Sequence, residues 1–353
     1  MTRATHRHLT CLALLPFALA ACSEKDSTGP VDEALDFAPA LASFADDVVV
    51  ETYADLAAKA EALHDACVAF DAAPTDAFLL QAAANAWVAA REPWERSEAF
   101  LFGPAAFLSL DPSLDSWPVD RQQLDQVLAS AFDLTPEFIA EGLGPALRGF
   151  HTVEYLLFRD QAPRDPADVT SREREYLVSC SRVLADDATL LHDEWNGGFA
   201  DEFAAAGTSG SRYQTGADAA LEILNGMIGI CDEVANGKIA APYDEQDPQL
   251  VESQFSGNSL TDFQNNIRSV RNAYLASLDG GAGTGLADLV RTLDVELDEH
   301  LLGHIDEAIE AIQAIPEPFE ENLGQAAAIE AAQEAIMHLL LVLEEDVKPL
   351  LLD

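Results

Sequence analysis

No stretch of this chain alternates polar and apolar residues convincingly, and no hairpin turn stands between apolar runs. Apolar residues instead recur three and four apart over long segments, broken by proline and glycine at helix-length intervals. That periodicity leaves one fold class, all-α. The breaks are Pro74, Gly103-Pro104, Pro163 with Pro166, the Gly- and Ser-rich run 207–211, the aperiodic run 236–259, the glycines of 280–285, and Pro316 with Pro318. They predict helices over 35–71, from a cap at Thr75 or Asp76 to Gly103, and over 120–132, 145–159, 171–203, 215–235, 259–278, 286–315 and 323–350. Eight or nine helices so connected suggest two helical-bundle domains of about four helices each. The prolines of 160–166 make the expected boundary, giving an N-terminal bundle over 35–165 and a C-terminal bundle over 166–353.

The first 22 residues read as a targeting segment. Arg3 and Arg7 precede an apolar run, 11–19, too short to span a bilayer as a helix. Leu19-Ala20-Ala21-Cys22 follows, and charge, apolar run, small residues and cysteine in that order read as a lipobox, with cleavage before Cys22 and lipid on its sulfur. An ordinary secretory peptide cut nearby is the alternative; on either reading the mature chain is exported. Ser23 after the cysteine resembles Gram-negative lipoproteins sent to the outer membrane, and the polar segment 23–34 reads as a flexible tether. Cys67, Cys180 and Cys231 remain, an odd and widely spaced set that suits small core residues better than disulfides or a zinc cluster.

Sixty-two acidic residues against 19 basic ones leave a net charge of −43, which repels nucleic acid and anionic lipid; the plain reading is solubility in a salty setting, the sharper one a field that concentrates cations. The apolar share of 49% is enough to build real cores. A mean hydropathy of +0.02 argues against a polytopic membrane protein.

The most informative segment is 145–159. At the helical period Leu147, His151, Glu154 and Phe158 share one line, and Ala146, Phe150, Val153 and Leu157 the next. An imidazole and a carboxylate therefore stand one turn apart at the edge of a core-facing stripe. Burying either unpaired costs about 1–3 kcal/mol, so each calls for a partner. Gly149 weakens such a helix by about 1 kcal/mol unless something must approach closely there. A His-x-x-Glu pair can hold one cation, as the reversed Glu-x-x-His does in ferritin-like bundles; the plain alternative is a hydrogen-bonded helix pair.

A second line joins Trp87, Arg91, Trp94 and Glu98, where Arg91 and Glu98 are either an internal ion pair or site residues, and Pro93 is expected to kink the helix. His300 and His304, four apart among Asp298, Glu299, Asp306 and Glu307, suit two metal-facing imidazoles. Leu301 stands where a zincin needs its glutamate, and an acidic solvent face is the alternative. Ser259 and Asp262 have capping-box spacing, ahead of a rare basic concentration at Arg268 and Arg271. Serine-nucleophile, phosphate-loop and dinucleotide motifs are absent from the sequence.

Several stretches together resemble the imelysin-like family of bacterial envelope proteins. The hallmark is Gly149, His151 and Glu154 as Gly-x-His-x-x-Glu. Supporting it are Trp87, Arg91, Pro93, Trp94 and Glu98-Ala99-Phe100, then Phe102-Gly103-Pro104, Trp117-Pro118, Glu252-Ser253-Gln254-Phe255-Ser256, Ser259 to Phe263, and Asn266-Ile267. The resemblance implies a two-domain helical fold with the motif facing a cleft between the bundles, and a link to iron or other metal acquisition. It carries His151, Glu154 and Glu98 over as metal-site residues, with Arg91, Ser256 and Arg268 as ligand-binding candidates. Two readings follow. One is a lipid-anchored binding protein holding a divalent or trivalent metal ion, iron favoured and zinc possible, or a metal-bearing ligand, with an envelope transport partner. The alternative is a zinc metallopeptidase, which needs a third ligand and a general base; a metal-free cleft for a peptide or polymer is a third possibility.

Overall fold

The computed structural model describes residues 35–281 and 283–352. The targeting segment, the tether and Cys22 lie outside the described residues.

Eight helices carry the architecture: α1 (Glu51–Ala72), α2 (Ala77–Glu95), α3 (Gly149–Leu157), α4 (Ser171–Glu194), α5 (Gly216–Asp232), α6 (Ser259–Leu275), α7 (Val295–Gln313) and α8 (Ala326–Leu341). Each buries one face, and the buried faces close two rings. In the first, α1 packs on α2 and α4, and α3 packs on the same two. In the second, α5 and α7 each pack on both α6 and α8. Helix α6 also packs on α2 and so joins the rings. The all-α class and the paired bundles are as expected. The boundary near 165 does not divide the packing, because α4 lies beyond it and completes the first ring; residues 35–353 form one compact unit.

The local departures have physical causes. The first helix begins at Ala38 and passes through a π-type turn, Phe44–Val50, before α1. Asp76 caps α2 by accepting from the Phe78 amide, and α2 stops at Glu95 rather than running to Gly103; Glu98 begins a separate 3-10 turn, Glu98–Phe100. A helix expected from 145 begins at Gly149, after a 3-10 turn at Pro145–Leu147. The segment 171–203 bends after α4, where Gly198 takes φ 145°. Helical turns persist to Glu245, so the irregular stretch is shorter than 236–259. One two-residue antiparallel pair, Phe158–Arg159 with Ala162–Pro163, closes through Asp160 and Gln161 at positive φ, where no strand was expected. Cys67, Cys180 and Cys231 are buried free thiols on α1, α4 and α5, as expected of core residues. The hydrophobic core of the first ring centres on Trp87, whose indole packs edge-on to Phe150 and Phe158 and donates to the Phe150 carbonyl at 2.9 Å.

Candidate functional site

The site begins with a backbone contact. Gly149 opens α3 at φ +79°, and a Cβ there would lie 2.3 Å from the Leu114 carbonyl oxygen and 2.7 Å from that of Ser113. The close approach inferred from this glycine is therefore the backbone of 113–114, and it sets the next residue, Asp115, against the first turn of α3. His151, two residues on from the glycine, is fully buried. Its Nε2 lies 3.1 Å from Asp115 Oδ1 and 3.4 Å from Glu252 Oε1. Its Nδ1 lies 3.3 Å from Glu154 Oε2, and the Trp117 ring stands edge-on with centroids 5.1 Å apart.

Glu154 thus sits behind the imidazole. Its other oxygen, Oε1, accepts from the Phe255 amide at 3.0 Å, the Ser256 amide at 2.8 Å and the Ser256 hydroxyl at 2.8 Å. Such a carboxylate fixes ring orientation and tautomer, as outer carboxylates do behind metal-bound histidines. Ser256 is brought to the site through Glu154 and not through the Nε2 side.

Arg91, also fully buried, ties the carboxylates together. It bonds Asp115 through Nη1 and Glu252 through Nη2 at 2.7 Å; Nη2 also pairs with Glu95 Oε1 at 2.5 Å. Its Nε is 3.5 Å from Asp262 Oδ2. Lys238 reaches Glu252 Oε2 at 3.1 Å. Trp94 donates to Asp115 Oδ2 at 2.7 Å, so both tryptophans of α2 are satisfied. The Ser259 and Asp262 spacing does not form a capping box. Ser259 bonds the Glu252 carbonyl, and Asp262 accepts from Ser253 Oγ and Asn258 Nδ2, each at 2.6 Å. Asn258 takes the cap position one residue earlier, so Ser259 lies inside the first turn, and the Asp262 oxygens are taken by Ser253 and Asn258.

These groups titrate as a unit. Burial would depress His151, but the charge of Asp115 and the hydrogen bonds to Asp115 and Glu154 outweigh it and raise its pKa well above the ordinary value. Burial pushes Glu252 up, yet Lys238, His151 and Arg91 together bring it down to about 2. Asp115 is held low by Arg91 and His151 against the same burial. Burial dominates at Glu95, raised to about 8, and at Asp262, raised to about 6.

Two sets of donors here could hold a metal: Asp115, His151 and Glu252, and Glu95, Glu98 and Asp115, each with ligand atoms within 4.8 Å of one another. Asp115 belongs to both. Glu252 Oε2 and Glu95 Oε1 make no hydrogen bond, but each faces a cation, Lys238 at 3.1 Å and Arg91 at 2.5 Å, which offsets its charge. A hollow of about 390 Å³ opens on this cluster, lined by Glu98, Asp111, Asp115, Trp117, Lys238 and Glu252. It lies between residues of the first and second halves of the chain. Glu98 faces it, half-buried and pushed well up by burial, beside Asp115 rather than at His151.

Of the residues expected from sequence, the structure brings together Arg91, His151, Glu154, Glu98 and Ser256. Arg268 stands apart: it bonds Asn265 and Gln264 and lines a separate hollow with Arg96 and Arg271. His300 and His304 are also elsewhere, on α7. Asp115, Glu252, Glu95 and Lys238 were missed. Glu95 had a local signal, its i, i+4 spacing from Arg91, and Glu252 stood in the 252–256 stretch of the resemblance without being read as a site residue.

Known proteins resemble this chain in sequence and fold. The imelysin profile (peptidase M75) matches residues 49–344. Iron-regulated protein A of Synechococcus elongatus is 34% identical over 316 residues, covering 87% of this chain and 85% of the relative. A crystal structure described as an iron-regulated protein A precursor from Parabacteroides distasonis superposes with a TM-score of 0.83 at 34% identity, covering 91% of this chain and 97% of that one. An imelysin-like protein from Psychrobacter arcticum shares the fold at 17% identity, with a TM-score of 0.72 over 90% of this chain and 98% of its own. A match that runs from the first ring to the last helix goes beyond a shared fold, and the chain belongs to the imelysin family.

Proposed function

We propose that this chain is an envelope protein that binds a transition-metal ion, iron favoured, or a metal-bearing ligand, in the hollow between its two bundles. The observation that carries the proposal is the gathering of His151 Nε2, Asp115 Oδ1 and Glu252 Oε1 around Arg91, which bonds both oxygens and lies 3.4 Å from Nε2, with Glu154 fixing the imidazole from behind. One imidazole with several carboxylates is an oxygen-rich set that suits iron, with zinc also possible. His151, Asp115 and Glu252 would hold the ion, Glu98 and Glu95 would flank it, and Arg91 would set the spacing of the carboxylates and offset their charge. Ser256 acts through Glu154. The name of the Synechococcus relative supports an iron-related role. Lipid on Cys22 would anchor the chain at the membrane, facing the periplasm, where a transport partner would receive or deliver the metal.

A second reading, a zinc-dependent peptidase, is favoured by one observation. Glu98 faces the hollow with its pKa raised well above the ordinary carboxylate value by burial, so it would hold a proton to give to a leaving amine.

The test is metal analysis of protein purified without chelator, beside Asp115→Asn, His151→Ala and Glu252→Gln, each checked for helical content. Loss of metal in all three is expected. Wild-type metal content in folded variants would remove these residues as ligands. The peptidase reading fails if the metal-loaded chain leaves unfolded peptides intact.

A further inference from the structure

Three of the six histidines among the described residues gather on the surface of the second ring, sharing no residue with the interior cluster. His300 and His304 lie one turn apart on α7, and their Nε2 atoms are 3.0 Å from each other, with ring centroids 4.4 Å apart. His304 Nδ1 meets Glu307 Oε2 at 2.9 Å. From α8, which packs against α7, the His338 ring stands 6.1 Å from that of His304. His300 and His338 are exposed and His304 is half-buried, so the cluster is open to solvent.

The arrangement is that of a ligand set. Glu307 accepts the Nδ1 proton of His304, which leaves the Nε2 lone pair facing His300, the same support that carboxylates give metal-bound imidazoles. An ion bound at about 2.0–2.1 Å by two nitrogens with tetrahedral angles needs those nitrogens roughly 3.3 Å apart, a few tenths from the separation observed. Two imidazoles on a bare acidic surface would gain only one shared proton from meeting in this way, and would repel if both were charged. The surplus negative charge of the chain raises the local concentration of cations around the site.

We infer that His300 and His304, oriented by Glu307 and with His338 across the α7–α8 contact, form a second site for a divalent transition-metal ion of the zinc, nickel or copper class. Water completes the coordination. Its ligands are imidazoles on an open surface, whereas the interior cluster is carboxylate-rich and buried.

The test is calorimetric zinc titration of the tag-free chain and of three variants: His300→Ala with His304→Ala, Glu307→Gln, and Asp115→Asn. The wild type is expected to take one equivalent more than the double variant. Glu307→Gln should weaken that equivalent by about 10-fold or more. Asp115→Asn should leave it intact, so failure of the interior reading and failure of this one are separable. Where the leader is retained, His6 and His8 are common to every variant and cancel in the difference. A double variant with wild-type stoichiometry and affinity overturns the proposal, as does a wild type whose every equivalent is lost in Asp115→Asn.

Discussion

Replacing Glu154 by glutamine changes a charge and almost no volume, so it isolates what the carboxylate does. Three donors converge on Oε1: the Phe255 amide, the Ser256 amide and the Ser256 hydroxyl. Turning the new NH2 toward them would set donor against donor, so the amide oxygen takes that place and the NH2 faces His151 Nδ1. A hydrogen bond to a charged group contributes about 1.5–3 kcal/mol and a neutral one about 0.5–1.5, so three weakened bonds cost roughly 3 kcal/mol in all. The second effect is on the imidazole. Glu154 is one of the groups that hold His151 in its charged form, so its loss lowers the His151 pKa; in the neutral ring Nδ1 then accepts from the new amide, which leaves the proton on Nε2, the atom facing Asp115 and Glu252. Loss of an orienting carboxylate lowers metal affinity about 10–100-fold. Urea unfolding in chelator reads the first effect, and iron or zinc titration of the folded variant reads the second. A variant within a few tenths of a kcal/mol of wild type, with unchanged metal affinity, would show that Glu154 neither latches the 255–256 loop nor sets the tautomer.

Gly149→Ala should destabilise by about 2–5 kcal/mol, from a left-handed backbone costing about 1–2 and overlap with the Leu114 carbonyl costing about 1–3. The urea midpoint measures it, and a cost under about 0.5 kcal/mol would mean the 113–115 backbone moves aside freely. Between about pH 5 and pH 9 the chelator-stripped protein should lose stability as pH rises. His151 is raised in the fold, so its contribution is complete below its unfolded pKa and disappears as pH climbs through the folded one. Glu95, raised to about 8, and Asp262, raised to about 6, are acids that must ionise while buried and act in the same direction. Glu252 and Asp115, both held low, keep their contribution throughout this window and lose it only in strong acid. Thermal melts across the range check this; Glu95→Gln should flatten the slope, and a melting temperature that rises with pH would refute it.

The helices were legible because burial imposes the 3.6 period on sequence, and so was the meaning of Gly149, because a glycine at the start of an apolar helix needs a reason. His151 and Glu154 were legible as a buried pair. Their division of labour was not, since which nitrogen faces which carboxylate depends on Asp115 and Glu252. Those arrive from the end of a short helical turn and from an irregular loop, 36 residues before and 101 after His151, with no local periodicity to mark them. Glu98 was placed on the Arg91 line by assuming an unbroken helix. The helix ends at Glu95, and that residue takes the ion pair. Ser259 and Asp262 show a related limit: their spacing fits a capping box, but the helix takes Asn258 as its cap residue, one place earlier, and Ser259 falls inside the first turn.

The grip of Glu154 on the 255–256 amides has a consequence for how such a chain can be divided. The imidazole is aimed by a carboxylate that is itself steadied by backbone from a hundred residues downstream, so neither half carries a finished receptor to the other. Cutting or exchanging one bundle would leave a histidine free to spin and a loop with three unanswered donors. Modular inheritance of the two rings, however alike they look, stops at this latch.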